Sequence, residues 1–457
     1  MSPLGCDVGV PLRIPTQRWA GGAPRVAGEC VGSAHGAGIP AVILRPVRLI
    51  ARIAEAIAPS RLGRKFRWLL SASIANGIGD GVVVSAGPLL VASLTRDPFL
   101  VSMALLSEYL PVLLFGVIGG VAADRFDRRR MVVIVNLGRT FVLAALVVVI
   151  ASGAVSIVLV LIALFMLGTA ETFADSATST LLPGLVARED LGIGNARIQG
   201  AQLLTNQLLL PPVGAFLFAI GPAIPFATNA VGFALGAVLI SRLATDVRQA
   251  QADRPGVRHE MLEGMRWLVA HPPMRTLALT IFTFNITFGA AWSVLVLYAG
   301  ERLGMNAVGF GLLTTAAALG GVIGTVSYGR LERRFKLSDI MRVGLIIETC
   351  THLILALTTS AAIALGTLVV FGAHAFVWGT TSTVVRQRAV PDALLGRVGG
   401  VYRVAIIGGL AIGTPIGGLL AKTFGITAPF WFAFAGSAFL VVVLWRQFEH
   451  IVHSSEI

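Results

Sequence analysis

Charge is scarce in this chain. Asp, Glu, Lys and Arg make up 13% of its 457 residues, against roughly 25% in soluble domains, and that shortage excludes a soluble globular enzyme. Cysteine is nearly missing. Cys6, Cys30 and Cys350 are scattered, whereas a disulfide framework or a zinc site needs clustered or regularly spaced ligands. Neither a metal nor a cofactor is expected. The sequence has no GxxxxGKS-type phosphate loop, no HExxH and no nucleophile elbow, which excludes an ATP-driven pump and leaves no motif for a membrane enzyme. Alternation is missing too: runs such as MVVIVNLGRTFVLAALVVVIA from Met131 do not resemble the alternating segments of about 10 residues that build a β-barrel.

What the chain has is apolar length. It is 55% hydrophobic with a mean hydropathy of +0.82, and apolar runs of about 20 residues recur from Phe66 almost to the C-terminus, each able to cross a hydrocarbon core roughly 30 Å thick. The fold class that follows is an all-α polytopic membrane protein in a lipid bilayer. The formal charge of +13 does not call for a nucleic acid, because the basic residues sit between the apolar runs instead of on one domain. Most of the 52 glycines and 21 prolines fall inside those runs, where Gly allows close helix contact and Pro is tolerated.

Residues 1–60 read as a disordered basic N-terminal tail. Its later part, VILRPVRLIARIAEAIA, sets Arg48, Arg52 and Glu55 opposite Leu49, Ile53 and Ile57, the pattern of an interfacial helix. It lacks the compact apolar core and small-residue cleavage pattern of a signal peptide; an over-extended start is the other reading. Twelve spans follow. Six lie in a first bundle over 65–243 and six in a second over 274–446, with a linker over 244–273 and a tail over 447–457. The linker holds Arg248, Arg254, Arg258 and Arg266, and its HEMLEGMRWLVAHP reads as a short amphipathic interfacial helix. With the N-terminus cytoplasmic, the outward connections hold only Arg96, Arg302 and Lys422 of the 36 Lys and Arg. The positive-inside rule then makes linker, tail and both termini cytoplasmic.

The halves repeat. GVIGGVAADRFDRR over Gly116–Arg129 aligns without gaps to GVIGTVSYGRLERR over Gly321–Arg334, and PPVGAFLF from Pro211 resembles TPIGGLLA from Thr414. Arg125, Arg128 and Arg129 correspond to Arg330, Arg333 and Arg334. Two sixes with a site between them near the midplane is an architecture of secondary transporters. The segment GVAADRFDRRR resembles the signature loop between helices 2 and 3 of the major facilitator superfamily, through Gly120, Asp124, Arg125 and Arg129; Asp127 stands where a Gly is often found. Within the superfamily the chain looks like the enterobactin-exporter-like group of drug and siderophore exporters, through NGIGDG at Asn76, LTRDP at Leu94, GTAETFAD at Gly168 and EGMRWLVAHPPMR at Glu263. The likeness spans about residues 65–445. It implies two pseudo-repeated six-helix bundles, with spans 1, 4, 7 and 10 lining a central cavity.

Ionisable groups within spans are functional candidates by default: Asp80, Glu108, Arg139, Glu171, Asp175, Glu348 and Arg403. Asp80 shares a helical stripe with Ser73 and Asn76, facing a wet cavity or marking a kink between Gly79 and Gly81. Glu171 and Asp175 point from one face, where adjacent carboxylates disfavour simultaneous ionisation. They are candidates to carry protons or a cationic substrate; the other reading makes Asp175 a strut to Arg197 or Arg139. Glu108, Arg139 and Glu348 read as structural or coupling residues. With the cavity helices borrowed from the resemblance, span 10 offers His374, Trp378 and Thr381 and span 7 offers Asn285 and Trp292, suited to a bulky amphipathic ligand or to packing alone. Asp124, with Gly120, Arg125, Arg128 and Arg129, reads as a conformational latch whose second-half counterpart has Gly329 in place of the acid; the bland reading is topology. The function expected is proton-coupled export of small amphipathic compounds, drug or siderophore-like, by a monomeric protein in the cell membrane. An uptake permease and a transport-inactive sensor or scaffold are the alternatives.

Overall fold

The structure, a computed structural model, describes residues 59–243, 257–445 and 447–448. Residues 1–58 of the expected tail over 1–60, with its expected interfacial helix, residues 244–256 of the linker and residues 449–457 of the C-terminal tail lie outside the described residues. Six long helices come first: α1 (Gly63–Leu94), α2 (Pro98–Arg125), α3 (Arg128–Ala151), α4 (Ile157–Leu181), α5 (Leu191–Ile220) and α6 (Ile224–Ser241). The amphipathic helix α7 (Val257–Ala270) follows, then α8 (Pro272–Glu301), α9 (Ala307–Arg334), α10 (Leu337–Leu357), α11 (Ala361–Ala389), α12 (Leu395–Phe424) and α13 (Ala428–Leu444). No strand occurs among the described residues. Eleven of these helices are long and apolar enough to cross a membrane. The twelfth, α13, has 17 residues, about 25 Å at 1.5 Å per residue, near the short limit for a span.

Polar residues at the ends of the apolar runs set the helix starts. Asp97 Oδ1 accepts from the Phe99 N–H at 2.9 Å with Pro98 in the first turn, an arrangement in which the missing proline N–H is no loss. Asp127 accepts from the Arg130 N–H at 3.0 Å and starts α3, so the acid that departs from the signature pattern is the cap of the next helix. Two spans are not continuous. In α5 a π-helical segment over Leu203–Leu209 precedes Pro211 and Pro212, and α8 breaks between Trp292 and Leu295.

Glycines fix how closely the helices meet. Gly409, Gly413 and Gly417 of α12 recur every fourth residue and face the carbonyls of Phe282, Ile286 and Ala290 on α8, a small-residue ladder that lets two backbones touch. In the first half Gly81 of α1 faces the Thr205 carbonyl and Gly214 of α5 faces that of Val82. The halves meet along two seams. Gly418 of α12 lies against Phe99 and Ser102 of α2, and Gly311 of α9 lies against Pro211, Pro212 and Ala215 of α5. The repeated sequences therefore lie on the helices that form the seams: α2 corresponds to α9 and α5 to α12.

The apolar core is asymmetric along the bundle axis. At the end remote from the Arg125–Arg130 turn, one cluster joins both halves, through Leu90, Val101, Phe226, Tyr298, Phe310 and Phe430 among others. At the basic end the core splits in two: Phe66, Leu69, Val132 and Leu181 pack within the first half, and Met274, Met341, Val398 and Tyr402 within the second. The halves are closed against each other at one end and parted at the basic end.

An ion pair crosses the closed end. The Lys422 ammonium donates to Asp97 Oδ2 at 2.6 Å. That bond, ahead of the backbone donors Phe99 and Leu100, holds the Asp97 carboxyl below its ordinary range against the opposing effect of burial. Because the folded value is depressed, the stabilisation is present above about pH 4 and is lost as pH falls through the folded value. Both groups are partly exposed, 52% for Lys422 and 27% for Asp97, which limits the pair to about 0.5 kcal/mol. Asp97→Asn is expected to raise the labelling rate of a cysteine at Ser102, in a cysteine-free background, about twofold; an unchanged rate means the pair does not hold the seam.

Candidate functional site

In the first half the charged candidates converge. Asp80 is half-buried on α1 where Gly79 admits Asn229 of α6 and Gly81 admits the α5 backbone. Its charged neighbours are Arg139, Glu171, Asp175 and Glu108. Arg139 of α3 is sealed, 3% exposed, and its guanidinium stands 3.6 Å from Glu171 Oε2 and 4.5 Å above the Phe233 ring. The sequence offered Arg139 to Asp175 as a strut; the ion pair observed is with Glu171, one turn earlier on α4. The Arg139 guanidinium thus stands among three carboxyl groups, Asp80, Glu171 and Asp175, with Glu108 beside Asp80 and Glu171. Ionisable groups gathered this way in membrane-spanning helices mark a candidate functional site. Asp175 and Glu108 are exposed, and Asp175 also feels Arg403, an exposed residue of α12 in the opposite half.

Asn76 sits at a helix contact: Asn136 Nδ2 donates to Asn76 Oδ1 at 3.4 Å, beside Gly236 of α6. In the second half Asn285 Nδ2 donates to its own helix at Ile281, 2.7 Å away. Trp292 stacks on Phe288 at 5.0 Å, Phe288 on Phe371 at 5.6 Å, and Phe284 on Trp378 at 5.8 Å. Aromatic faces of α8 and α11 make a continuous wall, with the Thr381 hydroxyl turned back to the Val377 carbonyl at 2.8 Å.

Behind that wall lies a group that sequence reasoning did not assemble. Glu348 of α10 is fully buried; His352 Nε2 is 2.8 Å from its Oε1, and His374 Nε2 of α11 is 2.9 Å from its Oε2. His374 and Glu348 were singled out separately and His352 not at all. The usable signal was the four-residue spacing of Glu348 and His352, which puts both on one helix face; the α10–α11 register that brings in His374 is not local.

At the basic end the Asp124 side chain lies outside the described residues, while Gly120 is a helical position of α2 with open space beside it. Arg128 Nε donates to the Ala123 carbonyl at 3.3 Å, and Arg129 donates to the Ser241 carbonyl at the end of α6, where a cation suits the helix dipole. Arg125 ends α2 as an exposed residue. In the second half Arg388 reaches Glu332 at 3.1 Å.

Comparison with known proteins places this geometry among transporters. The family described as transmembrane secretion effector matches residues 54–454. The enterobactin exporter EntS of Shigella boydii is 25% identical over 382 residues, covering 79% of this chain and 89% of that protein. The multidrug efflux pump Tap of Mycolicibacterium fortuitum is 25% identical over 378 residues, covering 79% and 90%. Among solved structures, a bacterial homologue of the iron transporter ferroportin in its inward-facing state superposes with a TM-score of 0.70 at 19% identity, covering 84% of this chain and 98% of that one.

Proposed function

We propose that this chain, which belongs to the transmembrane secretion effector family of the major facilitator superfamily, exports small amphipathic compounds, drug or siderophore-like, across the cell membrane in exchange for protons. The observation that carries the proposal is the cluster of Asp80, Glu171 and Asp175 around the sealed guanidinium of Arg139, with Glu108 beside Asp80 and Glu171. Its surplus carboxyl groups take up either protons or a cationic ligand, and a site that exchanges one for the other couples their movements. The names of the two similar transporters support export and this substrate class.

The basic end is the cytoplasmic end, since short Arg-rich connections stay inside, and both termini are cytoplasmic. The parted basic end then opens to the cytoplasm, and the seams with Asp97–Lys422 close the outer side. A ligand enters from the cytoplasm, lays its apolar face on Trp292 and Phe288, and presents its polar part to Glu171 and Asp175. The halves then rock about the midplane, with α8 repacking against α11 inside the second half. The protein works as a monomer, because both halves of the site come from one chain.

Ethidium, an amphipathic cation, is the probe in membrane vesicles containing the protein. Accumulation in inside-out vesicles with an acidic lumen, abolished by collapsing the gradient, is the expected result. Uptake confined to right-side-out vesicles would assign import, and no movement of ethidium or of a catechol siderophore in either orientation would leave a sensor or scaffold.

A further inference from the structure

We infer that Glu348, His352 and His374 form a proton-binding site of the second half, separate from the carboxyl cluster of the first half. Its use in transport rests on the proposed proton coupling; its existence does not. Glu348 lies at the middle of the 21-residue span α10, with side-chain exposures of 0% for Glu348, 3% for His352 and 2% for His374. Each carboxylate oxygen receives its own imidazole Nε2, so both rings bear hydrogen on Nε2 when neutral and leave their Nδ1 lone pairs bare. Both Nδ1 atoms are buried without a hydrogen-bond partner among the described residues. A Cβ at Gly344 would lie 3.1 Å from His374 Nδ1, and the glycine there leaves that atom room.

Charge decides the occupancy. With two neutral rings the site carries one uncompensated negative charge in the membrane interior, an arrangement buried sites avoid. One proton on either Nδ1 makes an imidazolium beside the carboxylate and brings the net charge to zero. A second proton would leave a positive excess. Nothing else nearby supplies the balance. α13 has no ionisable residue over Ala428–Leu444. On α9 the ionisable residues run from Tyr328 to Arg334, in its last two turns, and on α11 they are Arg386 and Arg388 near its end. Those of α8, Arg275, Tyr298 and Glu301, stand towards its ends, and on α10 Asp339 and Arg342 occupy the first turns, with Cys350 exposed.

The exchange is a proton transfer alone. A proton from water adds to an Nδ1 lone pair, the Nε2–H bonds to Glu348 persist, and release reverses the step. The Phe371 edge, 5.9 Å from His374, and Trp378 stacked on Phe284 close the route in the conformation described. Repacking α8 against α11 opens it. Loading and release thereby follow the motion of the halves.

The test uses the full-length protein in lipid nanodiscs with 15N-labelled histidine. His352→Gln and His374→Gln identify the two signals among the seven histidines. At pH 7 the two rings are expected to share one extra proton, seen as a linked change in both sets of signals. Glu348→Gln removes the negative charge that calls for this proton and is expected to leave both rings neutral at pH 7. If that variant fails to fold, Glu348→Asp keeps the charge and is expected to keep the shared proton. Two rings neutral throughout, or each titrating alone regardless of residue 348, overturn the inference. In proteoliposomes Glu348→Gln is expected to cut gradient-driven ethidium transport about tenfold. A wild-type protein indifferent to the gradient defeats the proposed coupling and leaves the spectroscopic result to judge the site; a gradient-driven wild type equalled by Glu348→Gln makes the cluster a static ion pair and overturns its role.

Discussion

Asp80→Asn and Glu171→Gln are each expected to reduce gradient-driven accumulation in proteoliposomes more than about tenfold while the protein stays folded. The site holds more carboxyl groups than cations, so neutralising one removes exchange capacity without leaving Arg139 alone. The remaining carboxyl groups still face its guanidinium. Because the Glu171 side chain is 45% exposed, its ion pair with Arg139 contributes only about 1 kcal/mol. A strut role predicts the opposite pattern. There the loss would appear as a lowered melting temperature in detergent, and the transport rate per folded molecule would be unchanged. Both quantities measured on both variants separate the two, and normal transport in both removes these residues from the mechanism.

Gly413→Leu is expected to lose most of its folded protein. A Cβ at this position would run into the Ile286 carbonyl, with the Ile286 carbonyl carbon and Cα also within 3 Å, and backbone atoms have no rotamer to change. Overpacking ordinarily costs about 1–3 kcal/mol, and prying two backbones apart along a ladder of three contacts puts this change at or above the top of that range. Gly399→Ala on the same helix is the control. Nothing lies within 4 Å of its Cβ position, and replacing an unconstrained helical glycine gains about 0.5–1 kcal/mol. Yield of monodisperse protein and melting temperature measure both. A Gly413→Leu protein as stable as the control would mean that α8 and α12 do not depend on backbone contact.

Much of the fold was legible because a membrane span announces itself by length and apolarity alone. The spans, the amphipathic α7 and the repeat all follow from runs and spacings. The interruptions do not. The π-helical turn in α5 is held where Thr205 meets Gly77 and Gly81 of α1, a contact between distant segments with no local signature. For the site, an ionisable residue inside an apolar run is conspicuous, so Asp80, Glu171 and Arg139 stood out. Which of them pair was not legible, since Glu171 and Asp175 differ by one helical turn and only the placement of α3 chooses between them. His352 was passed over because a lone histidine in a membrane helix is ordinary until its neighbour across the α10–α11 contact is known.

The ladder between α8 and α12 has a mechanical consequence. Helices whose backbones interlock every fourth residue cannot slide or roll on one another, so the pair moves as a single stiff beam. Wherever α12 goes, the aromatic row of α8 goes with it. Under the proposed rocking, slippage falls instead at α2, where Gly418 bears on Ser102 through small side chains and one ion pair, and that bearing surface is what must part for the outer side to open.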